Sequence, residues 1–142
     1  MRTVRLSAFE PIYDDVPKTV EKQIVMDVTN ASYPKTPVVP FIKCTQDRVV
    51  LEIQRGCIRG CRFCQAGMIY RPTRERDLAM LKEYAYAMLK STGHEEISLS
   101  SLSSSDYSDL AGIVNFLIDE FEKTGVNISL PSCELMHSPW MS

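Results

Sequence analysis

The chain has 142 residues, of which 44% are hydrophobic and 24% are charged, a composition ordinary for one globular domain and a length short for two. Its formal net charge of -2 gives no electrostatic support for a nucleic-acid partner. No apolar run approaches the roughly 20 residues that a membrane-spanning helix needs. Residues 1–15 also lack the continuous apolar stretch of a secretory signal.

The cysteine content indicates metal or redox chemistry rather than a disulfide framework. There are five cysteines, an odd number, and three of them lie within eight positions. A disulfide framework is usually even in number and spread along the chain, whereas close thiols persist in a reducing compartment when they bind a metal. We therefore expect a cytoplasmic protein.

Residues 1–46 are predicted to be a lead-in or linker segment rather than a folded unit. Apolar residues spaced four apart give residues 19–30 a weak helical period, so a helix is predicted there. Three prolines within residues 34–40 require extended backbone and exclude a helix from that stretch.

Residues 47–132 have the pattern of a folded α/β core, because strand-like alternation and helix-like apolar stripes follow one another. The predicted elements are a strand at 49–53, a helix from Asp77 to Gly93, a strand at 97–102, a helix that begins at 103–106 and ends at Gly125, and a strand at 126–130. With right-handed crossovers, this order gives a parallel sheet.

The three predicted strands alternate apolar and polar residues, unlike the continuous apolar runs of a parallel sheet that is covered on both faces. Since each predicted helix carries an apolar stripe, we expect the helices to cover the apolar faces. The polar faces then line either a barrel lumen that holds a polar ligand or a two-layer sheet with one face in water. The strands alone do not decide between these two architectures.

Cys57, Cys61 and Cys64 lie directly after the first strand, at the edge of a parallel sheet where ligands gather. Three thiolates at this spacing can each bind one iron of a [4Fe–4S] cluster. Electron-transfer cubanes normally have four cysteine ligands, so three ligands leave one iron open for a small molecule. Gly56 and Gly60 allow the backbone to turn tightly beside the cluster.

The alternative for this loop is a zinc site in an interaction domain. Zinc generally takes four ligands, often from two separated C-x2-C pairs. The remaining candidates, Cys44, Cys133, His94 and His137, do not have this spacing, so zinc is the weaker alternative. Cys44 is instead predicted to be a small buried or half-buried residue, and His94 a surface residue at a helix end.

The C-x3-C-x2-C spacing, with Phe63 just before the third cysteine, resembles the radical S-adenosylmethionine (SAM) superfamily. The resemblance implies an enzyme in which SAM chelates the open iron and an electron from the cluster cleaves it to methionine and a 5′-deoxyadenosyl radical. It implies that Cys57, Cys61 and Cys64 are the cluster ligands and that Phe63 lies beside the adenine of SAM. The implied partner is a low-potential electron donor such as flavodoxin or ferredoxin, and the substrate is unknown.

Residues 55–76 further resemble a bacterial branch of this superfamily that has an N-terminal cobalamin-binding-type domain and, more distantly, the radical SAM methylthiotransferases. In the methylthiotransferases the second strand ends in a glycine-containing turn that contacts SAM. In this chain serines replace those glycines, so the resemblance makes Ser100, Ser101 and Ser103 the candidate SAM contacts.

Several polar residues near these motifs have a structural interpretation as well. Ser105 and Asp106 are expected to cap the second helix, as short polar side chains commonly do. Three arginines that follow the cysteine loop could either meet a SAM carboxylate or an anionic substrate, or be solvated: Arg71, Arg74 and Arg76.

The family fold is a six-unit partial (β/α) barrel, (β/α)6, and residues 47–132 would form roughly its first half. We expect the cobalamin-type domain to be absent, so that cobalamin is possible only in full-length family members. We expect residues 133–142 to be a frameshifted tail, because codons can be chosen for them whose neighbouring frame reads the family pattern LRADAFTMDV. Besides the zinc-binding interaction domain, two alternatives to a radical SAM enzyme fragment therefore stay open, a non-catalytic truncated remnant and an iron–sulfur-binding module.

Overall fold

The structure of the protein, a computed structural model, describes residues 3–4, 12–17 and 20–133. Its strands are β1 (Thr3–Val4), β2 (Val20–Glu21), β3 (Val49–Glu52), β4 (Gln54–Arg55), β5 (Arg74–Glu75), β6 (Glu96–Ser100) and β7 (Asn127–Ser129). Its α-helices are α1 (Gln65–Ile69), α2 (Leu78–Thr92) and α3 (Leu110–Phe121), with 3-10 turns at Ser104–Asp106 and Glu122–Thr124. No helix within the described residues is long and apolar enough to cross a membrane.

The central sheet is parallel and has the strand order β3–β6–β7, which confirms the predicted α/β class and parallel pairing. Val49 pairs with Ile97 and Leu51 pairs with Leu99, so the apolar residues of β3 and β6 share one face. Helices α2 and α3 pack on this face. Residues on the other face are polar or partly exposed, for example Val50, which is 40% exposed.

The hydrophobic core fills the space between the sheet and the two long helices. Its fully buried side chains include Leu51, Leu81, Ile97, Ile113 and Leu117. These residues belong to the alternating strands and to the apolar stripes of the helices that the sequence displays. Burying each such side chain contributes about 1.5–3 kcal/mol, so this face accounts for most of the stabilisation of the fold.

The ends of α2 agree with the prediction. The Asp77 carboxylate accepts a hydrogen bond from the Ala79 backbone N–H at 3.0 Å, which caps the first turn. Gly93, with a φ of 70°, takes the left-handed conformation that ends the helix. Gly125, with a φ of 75°, ends the segment that continues α3, also as predicted.

The start of α3 corrects the prediction that Ser105 and Asp106 cap the second helix. Residues 103–106 instead enter a separate 3-10 turn, and the chain bends again before α3 begins. Asp109 is the cap, because its carboxylate lies within 3.1 Å of the Gly112 backbone N–H. The helix therefore begins later than the serine cluster indicates.

The helix predicted at residues 19–30 is also wrong for the part that the structure describes. Residues 22–30 have no regular structure, and Val20–Glu21 is a short strand. The Asp27 carboxylate accepts hydrogen bonds from the backbone N–H groups of Thr29 and Asn30, at 3.0 and 3.2 Å. Such local side-chain bonds compete with the helical hydrogen bonds of the backbone. The prolines at 34–40 lie in irregular backbone, as expected.

Tyr33 attaches the N-terminal segment to the exposed edge of the sheet. Its ring stacks on Tyr84 of α2 with centroids 5.1 Å apart. Its hydroxyl donates to the Val50 carbonyl at 2.6 Å and accepts from the Glu52 backbone N–H at 3.1 Å. The hydroxyl thus satisfies two edge groups of β3 that would otherwise lack a partner strand. The predicted boundary at residue 46 stays a prediction, although contacts cross it.

Candidate cluster loop and adjoining cleft

The cysteine loop leaves the carboxyl end of the first parallel strand. After β3 the chain continues through β4 and Gly56 into the loop, which is followed by α1. β5 then returns and pairs antiparallel with β4, with Gln54 opposite Glu75 and Arg55 opposite Arg74. The loop and α1 are therefore held between the two strands of a short ribbon. The sequence did not reveal this ribbon or α1, because elements of two to five residues are too short to show a period.

Gly56 forms the tight turn between β4 and the cysteine loop. Its φ is 87°, in the left-handed region, and a Cβ atom there would lie 2.6 Å from the Tyr70 carbonyl oxygen and 2.7 Å from that of Pro72. Only glycine fits both the conformation and the space. Gly60 differs from the prediction, because no atom lies within 4 Å of a Cβ placed there and its φ is not positive.

We expect Gly56→Ala to destabilise the chain by at least about 1–3 kcal/mol, the usual cost of a left-handed non-glycine residue, and by more through the backbone overlap. Gly60→Ala is the matched control, since it adds the same methyl group to the same loop in open space. Urea unfolding measures both. Equal stability of the two variants would contradict this assignment of the turn.

The three thiols of the loop differ in exposure. Cys57 is buried, Cys61 is exposed and Cys64 is partly buried. The sulfur of Cys57 accepts the Arg59 backbone N–H at 3.4 Å, and the sulfur of Cys64 accepts the Gly67 backbone N–H at 3.4 Å. Backbone amides that point at sulfur stabilise thiolates and the negative charge of a cluster. This donor set fits a cluster with three cysteine ligands.

Within the described part of the chain, no three or more His, Cys, Asp or Glu side chains are grouped closely enough to hold a single metal ion. The ligands of a cubane bind different irons, so their sulfurs are not required to converge on one point. Cys44 is exposed, which corrects the prediction that it is buried or half-buried. Its segment lies on the surface beside irregular backbone, where no core covers the thiol. His94 lies near Asp47, with 3.5 Å between Nδ1 and Oδ1.

The described part of the predicted tail is small. Cys133 is exposed, and His137 and the rest of residues 134–142 lie outside the described residues. The prediction of a frameshifted tail is therefore not tested by the structure.

A cleft of about 590 Å3 lies beside the loop, at the carboxyl ends of β3 and β6. Its lining includes Glu52, Gln54, Arg55, Gly56, Ser100 and Ser101. The position is the one at which α/β sheets bind ligands. Two of the three serines predicted to contact SAM, Ser100 and Ser101, line it. The backbone of Gly56 joins it to the cysteine loop.

Two other predicted contact residues lie away from this cleft. Ser103 is buried, and its carbonyl accepts the Gln54 side-chain amide at 2.5 Å, so it positions Gln54 rather than lining the cleft. Phe63 is 91% exposed on the surface of the loop and does not line the cleft. The sequence missed Gln54, a buried polar residue of β4, whose only signal was its polar side chain directly after the predicted first strand.

The electrostatics of the cleft centre on Glu52. Burial alone raises the pKa of this carboxyl, but hydrogen bonds from Arg55 and Arg76 outweigh burial and hold the pKa below its usual value. The bonds are 2.7 Å from Arg55 Nε and 2.8 Å from Arg76 Nη2. Glu52 is therefore an ionised, doubly paired carboxylate rather than an acid or base poised for proton transfer.

The three arginines after the loop all donate hydrogen bonds to other parts of the protein. As a group they are therefore neither solvated nor available to bind an anion. Arg71 donates to the carbonyls of Gly67 and Arg59 at 3.1 and 2.8 Å. Arg74, which also lines the cleft, donates to three backbone carbonyls, those of Pro72, Val25 and Tyr70.

Arg76 is 2% exposed and is part of the protein interior. It pairs with Glu52, donates to the Val28 carbonyl and lies 4.7 Å from the centroid of the Tyr33 ring. Its position corrects both alternatives considered from sequence, solvation and contact with an anionic ligand. Its function is to bind the N-terminal segment to the first strand.

Comparison with known proteins identifies the class that this fold and loop define. The family model of the radical SAM superfamily matches residues 51–136, more than half of the chain. The chain therefore belongs to the radical SAM superfamily. Its three parallel strands and two crossover helices correspond to a partial radical SAM (β/α) fold, and the family implies a [4Fe–4S] cluster and SAM as cofactors.

One relative is an uncharacterized protein of Methanocaldococcus jannaschii, 34% identical over 124 residues. The match covers 81% of this chain and 27% of the relative, so the chain spans about a quarter of the length of that protein. No solved structure matches the chain.

Proposed function

We propose that this chain is the cluster-binding part of a radical SAM enzyme, which holds a [4Fe–4S] cluster through Cys57, Cys61 and Cys64 and reductively cleaves SAM. The observation that carries the proposal is that the three-cysteine loop directly follows Gly56, which lines a cleft at the carboxyl ends of two parallel strands, although none of the three cysteines lines that cleft. When bound, a cluster of this kind supplies the electron that cleaves SAM to methionine and a 5′-deoxyadenosyl radical.

The residues of the chain would bind and orient the cofactors. Backbone N–H groups of Arg59 and Gly67 donate to two of the three sulfurs and offset their negative charge. Ser100 and Ser101 line the cleft, where serine hydroxyls can hydrogen-bond the polar parts of SAM, and the Ser101 hydroxyl also lies 3.0 Å from that of Ser104. Ser103 contributes indirectly, because its carbonyl fixes the side chain of Gln54.

The family branch, the electron donor and the cellular location are proposed from the sequence alone. Residues 55–76 favour the branch with an N-terminal cobalamin-binding-type domain, and cobalamin belongs to the proposal only for longer family members. A flavodoxin or ferredoxin as electron donor and a cytoplasmic location are parts of the same proposal.

The metal content of the chain tests the first half of the proposal. Anaerobic reconstitution with iron and sulfide should give about four irons per chain and a broad thiolate-to-iron absorption band, and a separate sample is incubated with zinc alone. SAM should then change the electron paramagnetic resonance spectrum of the reduced cluster, because it binds the open iron. One zinc per chain with no iron would instead support the zinc-binding interaction domain and reject the proposal.

A further inference from the structure

A two-point ion pair joins the cysteine loop to the turn that follows the second parallel strand. Arg59, between the first two cysteines, donates from Nε to Oδ2 of Asp106 at 2.8 Å and from Nη2 to Oδ1 at 2.5 Å. Two parallel hydrogen bonds of this kind fix orientation as well as distance. The side chain of Asp106 is only 7% exposed and that of Arg59 26%, so solvent screens the pair weakly.

The turn that carries Asp106 is itself firmly attached to the core. Ser104 is fully buried, and its hydroxyl donates to the Pro131 carbonyl at 2.8 Å. The hydroxyl of Tyr107 donates to the Arg76 carbonyl at 2.9 Å. Burial, followed by the nearby carboxylates, raises the pKa of Tyr107 to about 12, so this bond persists through the neutral range. These bonds therefore hold Asp106 in a fixed position relative to the core.

The loop, by contrast, has little packing of its own at its tip. Residues 60–63 are all exposed. Arg59 links this exposed segment to its surroundings through both its backbone and its side chain. Its backbone N–H donates to the sulfur of Cys57 at 3.4 Å, its carbonyl accepts Nη2 of Arg71 at 2.8 Å, and its guanidinium binds Asp106.

We propose that Asp106, acting through Arg59, is a positioning residue that holds Cys57 and the rest of the cysteine loop in place for cluster binding. The role in cluster binding rests on the proposed function, whereas the restraint on the loop does not. The pair also places compensating charges beside the cluster ligands. The positive charge of Arg59 lies in the loop itself, and the carboxylate of Asp106 lies directly against it.

The metal-free chain provides the first test, through the rate at which an alkylating reagent modifies each cysteine. Charge-assisted hydrogen bonds contribute enough that their loss should raise the open population of the loop, and the alkylation rate of buried Cys57, about tenfold. We expect this increase in Asp106→Asn and in Arg59→Gln. Arg62→Gln removes the same charge from an exposed position of the same loop and should leave the rate unchanged.

Two further measurements separate a local restraint from a general loosening of the fold. Exposed Cys44 serves as an internal standard, and its rate should be the same in every variant. The charge-swapped double variant, Arg59→Asp with Asp106→Arg, should restore slow alkylation of Cys57. Wild-type rates in both single variants, or a double variant as fast as the single ones, would overturn the proposal.

The reduction potential of the loaded chain provides an electrostatic test. Asp106→Asn removes a negative charge close to the loop, which should raise the potential, whereas Arg59→Gln removes a positive charge from the loop and should lower it. Shifts of the same sign would contradict the paired arrangement. If the wild-type chain takes up no cluster but Cys57 responds as expected, the proposed function fails and the restraint stands. If the wild-type chain takes up a cluster but the alkylation rate of Cys57 is the same in the variants as in the wild type, the restraint fails and the proposed function stands.

Discussion

Replacing any one of Cys57, Cys61 or Cys64 by serine is expected to reduce iron uptake from about four irons per chain to near background. With only three protein ligands the cluster has no spare thiolate, and a serine hydroxyl is not an equivalent soft ligand. Cys61 gives the cleanest variant, because it is exposed and its replacement removes no core packing. Iron and sulfide assays after anaerobic reconstitution measure the effect.

Cys44→Ser is the matched control for these variants. Cys44 is exposed like Cys61 but lies in the N-terminal segment, away from the loop. We expect this variant to take up as much iron as the wild type. Full uptake by Cys61→Ser, or a loss in Cys44→Ser equal to that in Cys61→Ser, would contradict the three-cysteine assignment.

Arg76→Met is expected to destabilise the chain by about 3 kcal/mol, near the lower end of the cost of breaking a buried ion pair. The variant keeps the volume of the side chain but leaves Glu52 with Arg55 alone and removes a donor to the Val28 carbonyl. The effect falls at the lower end because Glu52 remains 26% exposed and keeps one partner. Urea unfolding measures the change.

The control for this variant is Arg62→Met, the same substitution at an exposed position, which should change stability by less than about 0.5 kcal/mol. The effect of Arg76→Met should also depend on pH. Because the pKa of Glu52 is lowered in the folded chain, its ion pairs stabilise the fold above the usual value of 4.5 and this contribution is lost as pH falls further. The difference between the variant and the wild type should therefore shrink in acid, and a difference independent of pH would contradict the pairing.

The long elements of the fold were predictable from the sequence because they repeat a period. Helix α2 has a complete apolar stripe, an aspartate cap and a terminal glycine, and all three are where the pattern indicated. The parallel order of the three strands followed from the alternation of strands and helices. The predicted helix at 19–30 failed because side-chain hydrogen bonds of Asp27 outweigh a weak apolar period.

The candidate site was predictable only in part, because its supporting contacts are tertiary. The spacing of the three cysteines identified the loop, but nothing in the run of Arg71, Arg74 and Arg76 distinguishes the buried arginine from the others. That difference arises from the pairing of β5 with β4, which the sequence does not display. Likewise, Asp106 has the sequence pattern of a helix cap, and only the position of the loop makes it the partner of Arg59.

The most direct test of radical SAM chemistry in this chain is the formation of 5′-deoxyadenosine. The reconstituted 142-residue chain is incubated anaerobically with SAM and dithionite, and the products are separated by chromatography. We predict that 5′-deoxyadenosine and methionine form in equal amounts, and that neither forms with Cys61→Ser. A chain that holds about four irons but yields no 5′-deoxyadenosine would contradict the account and support a non-catalytic iron–sulfur module.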